Sequence, residues 1–115
     1  MKALFIDSSE ERWIAFSKKM LEINWVPEWA SKVDDALRKL KHNKYNLIFI
    51  DDYIPNCDIN IVANFVFLNK KSAIVVIHST NNHAAHEIST KIIDSYIINY
   101  FTLLDDMEEL IKVLI

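Results

Sequence analysis

The 115-residue sequence contains no glycine at all. This absence excludes every glycine-rich phosphate loop, both the Walker type and the dinucleotide-binding type. Glycine also normally fills backbone positions of positive φ at helix ends and in tight turns. Asparagine tolerates that conformation better than most residues, so we predict that four asparagines fill such positions: Asn43, Asn56, Asn69 and Asn82.

The low cysteine content, the lack of long apolar runs and the lack of a basic block exclude further classes of protein. The single cysteine, Cys57, cannot form an internal disulfide, which favours a reducing cytoplasm. No apolar run is long enough to span a bilayer, and Asp7 comes too early for a secretory signal peptide. Thirteen basic and sixteen acidic residues give a net charge of -3 without a basic block, so we expect neither a membrane nor a nucleic-acid duplex as partner. With 51% hydrophobic residues, we expect one folded domain over residues 1–115.

The predicted fold is organised around residues 45–55, with the sequence YNLIFIDDYIP. Its apolar run 47–50 is typical of a strand buried on both faces of a parallel sheet. Asp51 and Asp52 follow where that strand must end, and Pro55 cannot continue a strand ladder. Ligands of open α/β sheets bind at the carboxyl ends of the strands, so the surroundings of Asp51 decide the functional prediction.

Strand-like segments alternate with helical patterns five times along the chain. The predicted strands cover 2–6, 23–30, 47–50, 73–77 and 96–98. The predicted helices begin at Ser8–Ser9, Ser31, Asp58, the segment 80–82 and Thr102. This alternation predicts an α/β fold, a parallel sheet with helices on both faces. Pro27 places the second strand at an edge, which favours the flavodoxin-like strand order 2-1-3-4-5. In that order Asp7 and Asp51 meet at one crevice, and His78 and Asn99 reach the same edge.

The spacing of Asp51, Pro55 and Asp58, with an acid after strand one and Tyr96 in strand five, resembles the receiver domains of bacterial response regulators. The resemblance covers nearly the whole chain. It implies that Asp51 matches the phosphorylated aspartate and that Asp7 matches one of two acids that hold a metal ion. Three further positions depart from the receiver pattern. The second acid is replaced by Ser8, a switch threonine or serine by His78, and an invariant lysine by Asn99.

A narrower resemblance rests on His78-Ser79-Thr80-Asn81. This stretch is similar to the His-Ser-x-Asn motif of the receiver-like domains of the cyclic-phosphate-processing family. That family carries Leu-Asp-His-Asp-Leu-Gly after strand three, where this chain keeps only Asp51. The resemblance implies binding or hydrolysis of a cyclic-phosphate nucleotide, with Asp51 and His78 as catalytic residues. It assigns the phosphate ligand to three residues: Ser79, Asn81 and Asn99.

Two functional hypotheses lead. A third, an authentic phosphoacceptor, is the weakest, because Asn99 and His78 replace the lysine and the switch hydroxyl. In the first, the chain is a metal-assisted phosphodiesterase in which Asp7 and Asp51 hold Mg²⁺ or another divalent ion. In the second, it is a degenerate receiver that binds a protein partner, or a second copy of itself, without chemistry. The partner surface then lies on the last strand and helix, at Tyr96, Tyr100 and Phe101.

Each candidate residue also has a plainer interpretation. The acidic pocket could be retained for the fold alone, and His78 could be a histidine satisfied by neighbouring loops. We expect Asp52 to be solvated and Cys57 to be inert. His83 and His86 could add nitrogen ligands for Zn²⁺ or Mn²⁺, although surface histidines are commoner. We expect Trp25 and Trp29 to pack in the core.

Overall fold

The computed structural model describes residues 1–79, 92 and 95–115. Within these residues the backbone forms five strands: β1 (Lys2–Ile6), β2 (Val26–Ala30), β3 (Leu47–Asp51), β4 (Ile74–Ser79) and β5 (Tyr96–Asn99). All neighbouring strands pair in parallel, in the order β2-β1-β3-β4-β5. The predicted strand order is therefore confirmed, with the second strand at an edge. β3 ends one residue later and β4 two residues later than predicted. Asp51 and His78 therefore belong to the strands, where they are directly paired.

The same ranges contain five helices: α1 (Glu10–Glu22), α2 (Val33–His42), α3 (Ile59–Asn69), α4 (Tyr100–Asp105) and α5 (Met107–Leu114). The hydroxyl of Ser9 caps α1 by accepting from the Arg12 backbone N–H at 3.2 Å, as the serine pair predicted. Asp58 caps α3 in the same way. None of these helices is both long and apolar enough to cross a lipid bilayer.

Two predicted helix starts are wrong. The cap position of α2 is Lys32, which makes no side-chain capping bond, rather than Ser31. The last helical segment begins at Tyr100 instead of Thr102, because the Asn99 side chain accepts from the backbone N–H of Phe101 at 2.9 Å. The helical conformation is interrupted at Asp106, which ends α4 and precedes α5. The predicted helix after strand four lies outside the described residues, apart from the buried residue 92.

The sheet buries apolar side chains on both faces, as predicted for a sheet between two helical layers. One core cluster joins the strands to α2 and α3 and includes Leu4, Ile6, Leu40, Ile48, Ile50, Val62, Val66, Val75 and Ile77. The other joins them to α1, α4 and α5 and includes Phe5, Phe16, Met20, Trp25, Phe49, Val76, Leu103 and Met107. Trp29 packs against this second cluster, so both predicted core tryptophans contact the same core.

Three non-glycine residues take a positive φ within the described chain: Asn24 at 64°, Asn56 at 61° and Lys71 at 55°. The prediction for Asn56 is therefore confirmed. Asn43 is the C-cap of α2, as predicted for a helix end, although its backbone there is extended with φ -134°. Asn69 is the last residue of α3 rather than its C-cap. Asn82 lies outside the described residues.

Candidate functional site

Alternation along the strands decides which side chains meet at the carboxyl edge of the sheet. Successive strand residues point to opposite faces. The core cluster on the α1 face contains the residues two positions before the polar ones: Phe5, Phe49 and Val76. Asp7, Asp51 and His78 therefore all fall on the α1 face. Each offers one ligand atom, and these atoms lie within 4.8 Å of one another, so Asp7 and Asp51 meet at one crevice as predicted.

Asp7 is fully buried, and all of its polar atoms have partners. Its backbone N–H donates to Ala30 O at 3.2 Å, and its carbonyl accepts from Trp29 Nε1 at 2.8 Å. Its carboxylate accepts from the Ser9 N–H at 2.8 Å. These bonds fix the Asp7 carboxylate beside the first turn of α1.

Arg12 extends from that first turn into the acidic pocket. Its Nε and Nη2 each lie 2.8 Å from one oxygen of Asp7, in a two-pronged ion pair. Nη2 also lies 3.2 Å from Oδ2 of Asp51. The Tyr100 hydroxyl donates to the Arg12 carbonyl at 3.0 Å and so ties this turn to α4. A protein cation therefore lies between the two carboxylates.

His78 is buried in the floor of the pocket. Its Nε2 lies 2.8 Å from Oδ2 of Asp7, and its ring stacks on Phe5 with centroids 4.8 Å apart. Tyr100 lies on another side, with a ring-centroid distance of 5.9 Å. The Nδ1 atom of His78 has no hydrogen-bond partner in the described part of the chain. An ionised Asp7 requires the shared proton to sit on Nε2.

The pKa values of the two carboxylates in the pocket shift in opposite directions. Burial works to raise the pKa of Asp7, but hydrogen bonds from His78 and Arg12 outweigh it and leave this pKa lowered. Burial together with the nearby Asp7 carboxylate raises the pKa of Asp51 to about 8, although Arg12 opposes that shift. Asp7 is therefore the ionised partner of Arg12 at neutral pH, and Asp51 is mostly protonated.

The two cationic residues shift in opposite directions. The Asp7 hydrogen bond raises the pKa of Arg12, which stays charged. Burial lowers the pKa of His78 despite the Asp7 contact, so the imidazole is neutral at pH 7. The pocket at neutral pH thus consists of one ion pair, one neutral acid and one neutral ring.

A second polar pair lies on the opposite face of the same strands. The hydroxyl of Ser79 donates to Asp52, and both residues are buried, with Asp52 only 5% exposed. The prediction that Asp52 is solvated is wrong. Asp52 lies two residues beyond Ile50, on the same α2–α3 face, and the Ser79 hydroxyl donates to it there. Ser79 is therefore turned away from the pocket that holds Asp51 and His78.

The remaining predicted site residues are spread around the edge. Asn99 pairs with Ser79 in the sheet, and its side chain caps α4. Tyr96 and Phe101 are exposed, at 49% and 63%. Tyr100, a candidate for the partner surface, is instead 4% exposed and packs in the α1-face cluster. Three predicted ligand residues lie outside the described residues: Asn81, His83 and His86.

A cleft of about 500 Å³ opens beside the pocket. It lies between the loops that follow β1, β2 and β3. Its lining residues are Ser8, Ser31, Lys32, Val33, Asp34, Ile54, Pro55, Asn56 and Cys57. The exposed thiol of Cys57 therefore faces this cleft, whereas Asp7, Asp51 and His78 are not among its walls.

Known structures share this architecture. The chain matches the response regulator TrrA of Thermotoga maritima, solved in complex with Mg²⁺ and BeF, with a TM-score of 0.82, 22% identity and coverage of 99% of this chain and 98% of that one. It matches a CheY-like receiver domain of Methylobacillus flagellatus with a TM-score of 0.84, 14% identity and coverage of 100% and 98%. The chain has the receiver fold. No protein-family model matches it, and no curated protein does.

A magnesium ion occupies the active-site cleft of another receiver-fold match, the receiver domain of sensor histidine kinase PA1611 from Pseudomonas aeruginosa. That match has a TM-score of 0.83, 9% identity and coverage of 98% of this chain and 95% of that one. In the present chain Asp7, Asp51 and His78 could together hold a metal ion. They fit Mg²⁺ poorly, because Mg²⁺ demands octahedral oxygen ligands, the third donor here is an imidazole, and Arg12 already bonds both carboxylates.

Arg12 is the residue of this receiver-fold pocket that the sequence predictions missed. Two patterns in the sequence point to it. The alternation of β1 and β3 puts Asp7 and Asp51 on one face, and the Ser9 cap fixes where the facing helix begins. Arg12 stands at the third residue of that helix, within reach of the strand ends.

Proposed function

We propose that this chain is a receiver-fold signalling module that binds a protein partner and is not switched by phosphorylation of Asp51. The observation that carries this proposal is the guanidinium of Arg12, bonded to Asp7 and Asp51 at 2.8 and 3.2 Å. In this proposal residues 1–115 act as one unit, and Arg12 takes over the neutralising role of a divalent ion.

Charge supports the proposal. A phosphoryl group on Asp51 would add about 1.5–2 negative charges beside an Asp7 that is already ionised. Receivers that accept this group are expected to carry a lysine where Asn99 stands, and here the side-chain oxygen Oδ1 of Asn99 accepts from the backbone N–H of Phe101. His78, at the position of the switch hydroxyl, is held by Asp7. The side chains at the lysine and switch-hydroxyl positions, Asn99 and His78, are thus both committed to internal hydrogen bonds.

The test uses the phosphoryl mimic found in the TrrA complex. Thermal unfolding of the wild type in Mg²⁺ and beryllofluoride should differ by less than about 1 °C from unfolding in Mg²⁺ alone, because a ligand that does not bind does not stabilise. Asp51→Asn is the matched control, and TrrA is the positive control. A rise of several degrees in the wild type that disappears in Asp51→Asn would contradict the proposal.

We place the partner surface at Phe101, beside α1, and at Tyr96 on the edge strand. Phe101 lines a groove of about 310 Å³ with Arg12 and Tyr100, so a partner seated there also contacts the residue that closes the pocket. A second copy of the chain is the partner that can be tested first. Phe101→Ser should weaken self-association in sedimentation equilibrium, whereas Val113→Ser, a change at an even more exposed apolar position on α5, should not. A monomeric wild type would rule out the second copy as partner.

Cyclic-phosphate binding is a second candidate, favoured by the cleft of about 500 Å³, which is the size of small-molecule sites. Lys32, Ser8 and Asn56 line it with polar groups. A 2′,3′-cyclic nucleotide titrated under phosphorus NMR should lose roughly 10-fold in affinity in Lys32→Ala, and the exposed α1 variant Lys18→Ala should match wild type. No binding across a panel of cyclic phosphates would exclude this candidate.

Hydrolysis of such a ligand would require catalytic groups as well as a binding site. In this form His78 transfers the proton, and Asp51 and a divalent ion lie at the phosphate. His78→Ala should then lower turnover by roughly 10²-fold. The burial of His78 and its bond to Asp7 oppose this hydrolytic form. Binding without turnover would therefore leave a ligand-sensing receiver fold.

A further inference from the structure

We propose that the outward face of α3 binds the same face of a second copy of this chain, with the two helices antiparallel across a two-fold axis. The helix α3 packs on the sheet through Val62, Ala63 and Val66, in the core cluster that it shares with α2. The groove at Phe101 lies beside α1 and α4, which pack on the other side of the sheet. The inference therefore goes beyond the partner surface proposed above and does not depend on it.

The composition of α3 is unusual for a helix at the surface. Its 11 residues, Ile59–Asn69, contain no charged residue, whereas every other helix of the described residues contains at least one. Leu68 is nevertheless 77% exposed and Ile61 66% exposed. Two helical turns separate these side chains, so both lie on one face. Grouped exposed apolar side chains, unlike single ones, mark interaction surfaces.

Charges of opposite sign lie at the two ends of α3. Asp58 caps the N-terminus by accepting from the Asn60 N–H at 2.9 Å, and it is exposed. Lys71 follows the C-terminus and is exposed as well. Its ammonium donates to the Asn43 carbonyl at 3.2 Å and retains two further N–H donors. The two charges are about 20 Å apart along the helix, so they cannot pair within one chain.

An antiparallel pair of α3 helices brings these features together. A two-fold axis between Asn64 and Phe65 places residues that are equally far from that midpoint opposite each other. The facing pairs are Ile61 with Leu68 and Asp58 with Lys71, each formed twice. Apolar side chains thus meet near the centre and opposite charges meet at both ends, whereas a parallel pair would place like charges together. Since each chain carries a net charge of -3, the uncharged centre also lets two copies approach without like-charge contact.

The size of this face sets the strength of the contact. A single helix face offers less area than the ~800 Å² per partner of a standard interface. We therefore expect a weak dimer, with a dissociation constant between about 1 µM and 1 mM. The exposed ion pairs at the ends orient the two helices more than they strengthen the dimer.

The test uses the native thiol. In the antiparallel dimer the exposed Cys57 faces Ser72 of the partner subunit, and both positions lie just outside the ends of α3. Oxidation with diamide at about 0.1–1 mM protein should therefore convert Ser72→Cys into a covalent dimer. Within one chain the two thiols are separated by the length of α3 and cannot form a disulfide. Wild type and Lys18→Cys, whose second thiol lies on α1, are the controls and should remain monomeric.

The rate of cross-linking then measures the contribution of the apolar face. Leu68→Gln added to Ser72→Cys should lower this rate at least ~10-fold at concentrations below the dissociation constant, because the lost leucine contacts occur twice. Leu21→Gln is the matched control, since Leu21 is 61% exposed on α1, and it should leave the rate unchanged. Because Leu68 is exposed, the circular dichroism spectrum of Leu68→Gln should match that of wild type.

Three results would overturn the inference. They are cross-linking of Ser72→Cys no faster than that of Lys18→Cys, an unchanged rate after Leu68→Gln, and efficient cross-linking of wild type through Cys57 alone, which would show a parallel pair. Phe101→Ser should leave the cross-link intact, and its loss in that variant would assign self-association to the groove at Phe101 instead. The beryllofluoride test of the wild type is unaffected by any of these outcomes.

Discussion

Arg12 affects the charge state of the two aspartates at the sheet edge, Asp7 and Asp51, because it bonds both. Without it, Asp7 and Asp51 would repel each other and need an external ion or a proton. With it, Asp7 stays ionised, because hydrogen bonds from His78 and Arg12 lower its pKa. Burial and the nearby Asp7 carboxylate raise the pKa of Asp51, and Arg12, at the longer contact of 3.2 Å, does not offset that rise.

The raised pKa of Asp51 predicts how stability depends on pH. Between about pH 4 and 8 the unfolded chain ionises Asp51 while the folded chain keeps it protonated. The folded state then binds more protons, so the free energy of unfolding falls as pH rises. His78 opposes this trend below its ordinary pKa of 6.5, because the folded state keeps it neutral. The lowered pKa of Asp7 acts only at acid pH.

The Asp51 effect is therefore cleanest between pH 6.5 and 8. Wild type should lose up to about 2 kcal/mol of stability across that window, at about 1.4 kcal/mol per pH unit for one proton. Asp51→Asn should be nearly flat, and Asp105→Asn, at an exposed position, should follow wild type. Urea unfolding at four pH values measures the difference. Parallel curves for wild type and Asp51→Asn would contradict the raised pKa.

At the scale of elements, apolar runs and alternation predicted the strands, while helix ends depended on contacts that spacing does not reveal. The run 47–50 and Pro27 were sufficient to place β3 in the interior and β2 at an edge. The start of α4 was missed because Asn99, assigned to a phosphate, caps the helix instead. Asp52 was missed because its partner, Ser79, lies on a different strand.

The cap role of Asn99 can be separated from a ligand role by two substitutions. Asn99→Ala should lower the free energy of unfolding by about 1 kcal/mol, since it removes the oxygen that accepts from the Phe101 N–H. Asn99→Asp retains that oxygen and should stay within about 0.5 kcal/mol of wild type. Urea unfolding provides the measurement, with Asn64→Ala on the exposed surface of α3 as control. Equal stability of Asn99→Ala and wild type would show that the cap contributes nothing.

Across the whole molecule, the site depends on the core beneath it. Phe16 of α1 stacks on Phe5 with a centroid distance of 4.3 Å, and Phe5 stacks on His78. Phe16 is fully buried on the inner face of α1, whereas the apolar residues Ile14 and Leu21 of the same helix are 51% and 61% exposed. The helical repeat alone cannot tell how wide a stripe the sheet covers.

Phe16→Ala should therefore cost about 3–5 kcal/mol, as expected for a large core deletion. Ile14→Ala, two residues away on an exposed face, should stay within about 0.5 kcal/mol of wild type. Thermal and urea unfolding measure both. Phe16 packs against Phe5, and the Phe5 ring stacks on His78. The Phe16 variant should therefore also broaden the His78 imidazole resonances in NMR spectra. Unchanged His78 resonances in a destabilised Phe16→Ala would mean that the pocket is independent of this core.

The single cysteine gives this chain a built-in reporter. Cys57 is exposed and lines the cleft beside the acidic pocket, next to Asn56, whose positive φ turns the loop there. A fluorophore or a trifluoromethyl tag would attach at that one thiol without any engineered substitution. Its signal would follow ligands that enter the cleft, so binding at this edge of the sheet can be observed in the otherwise unaltered protein.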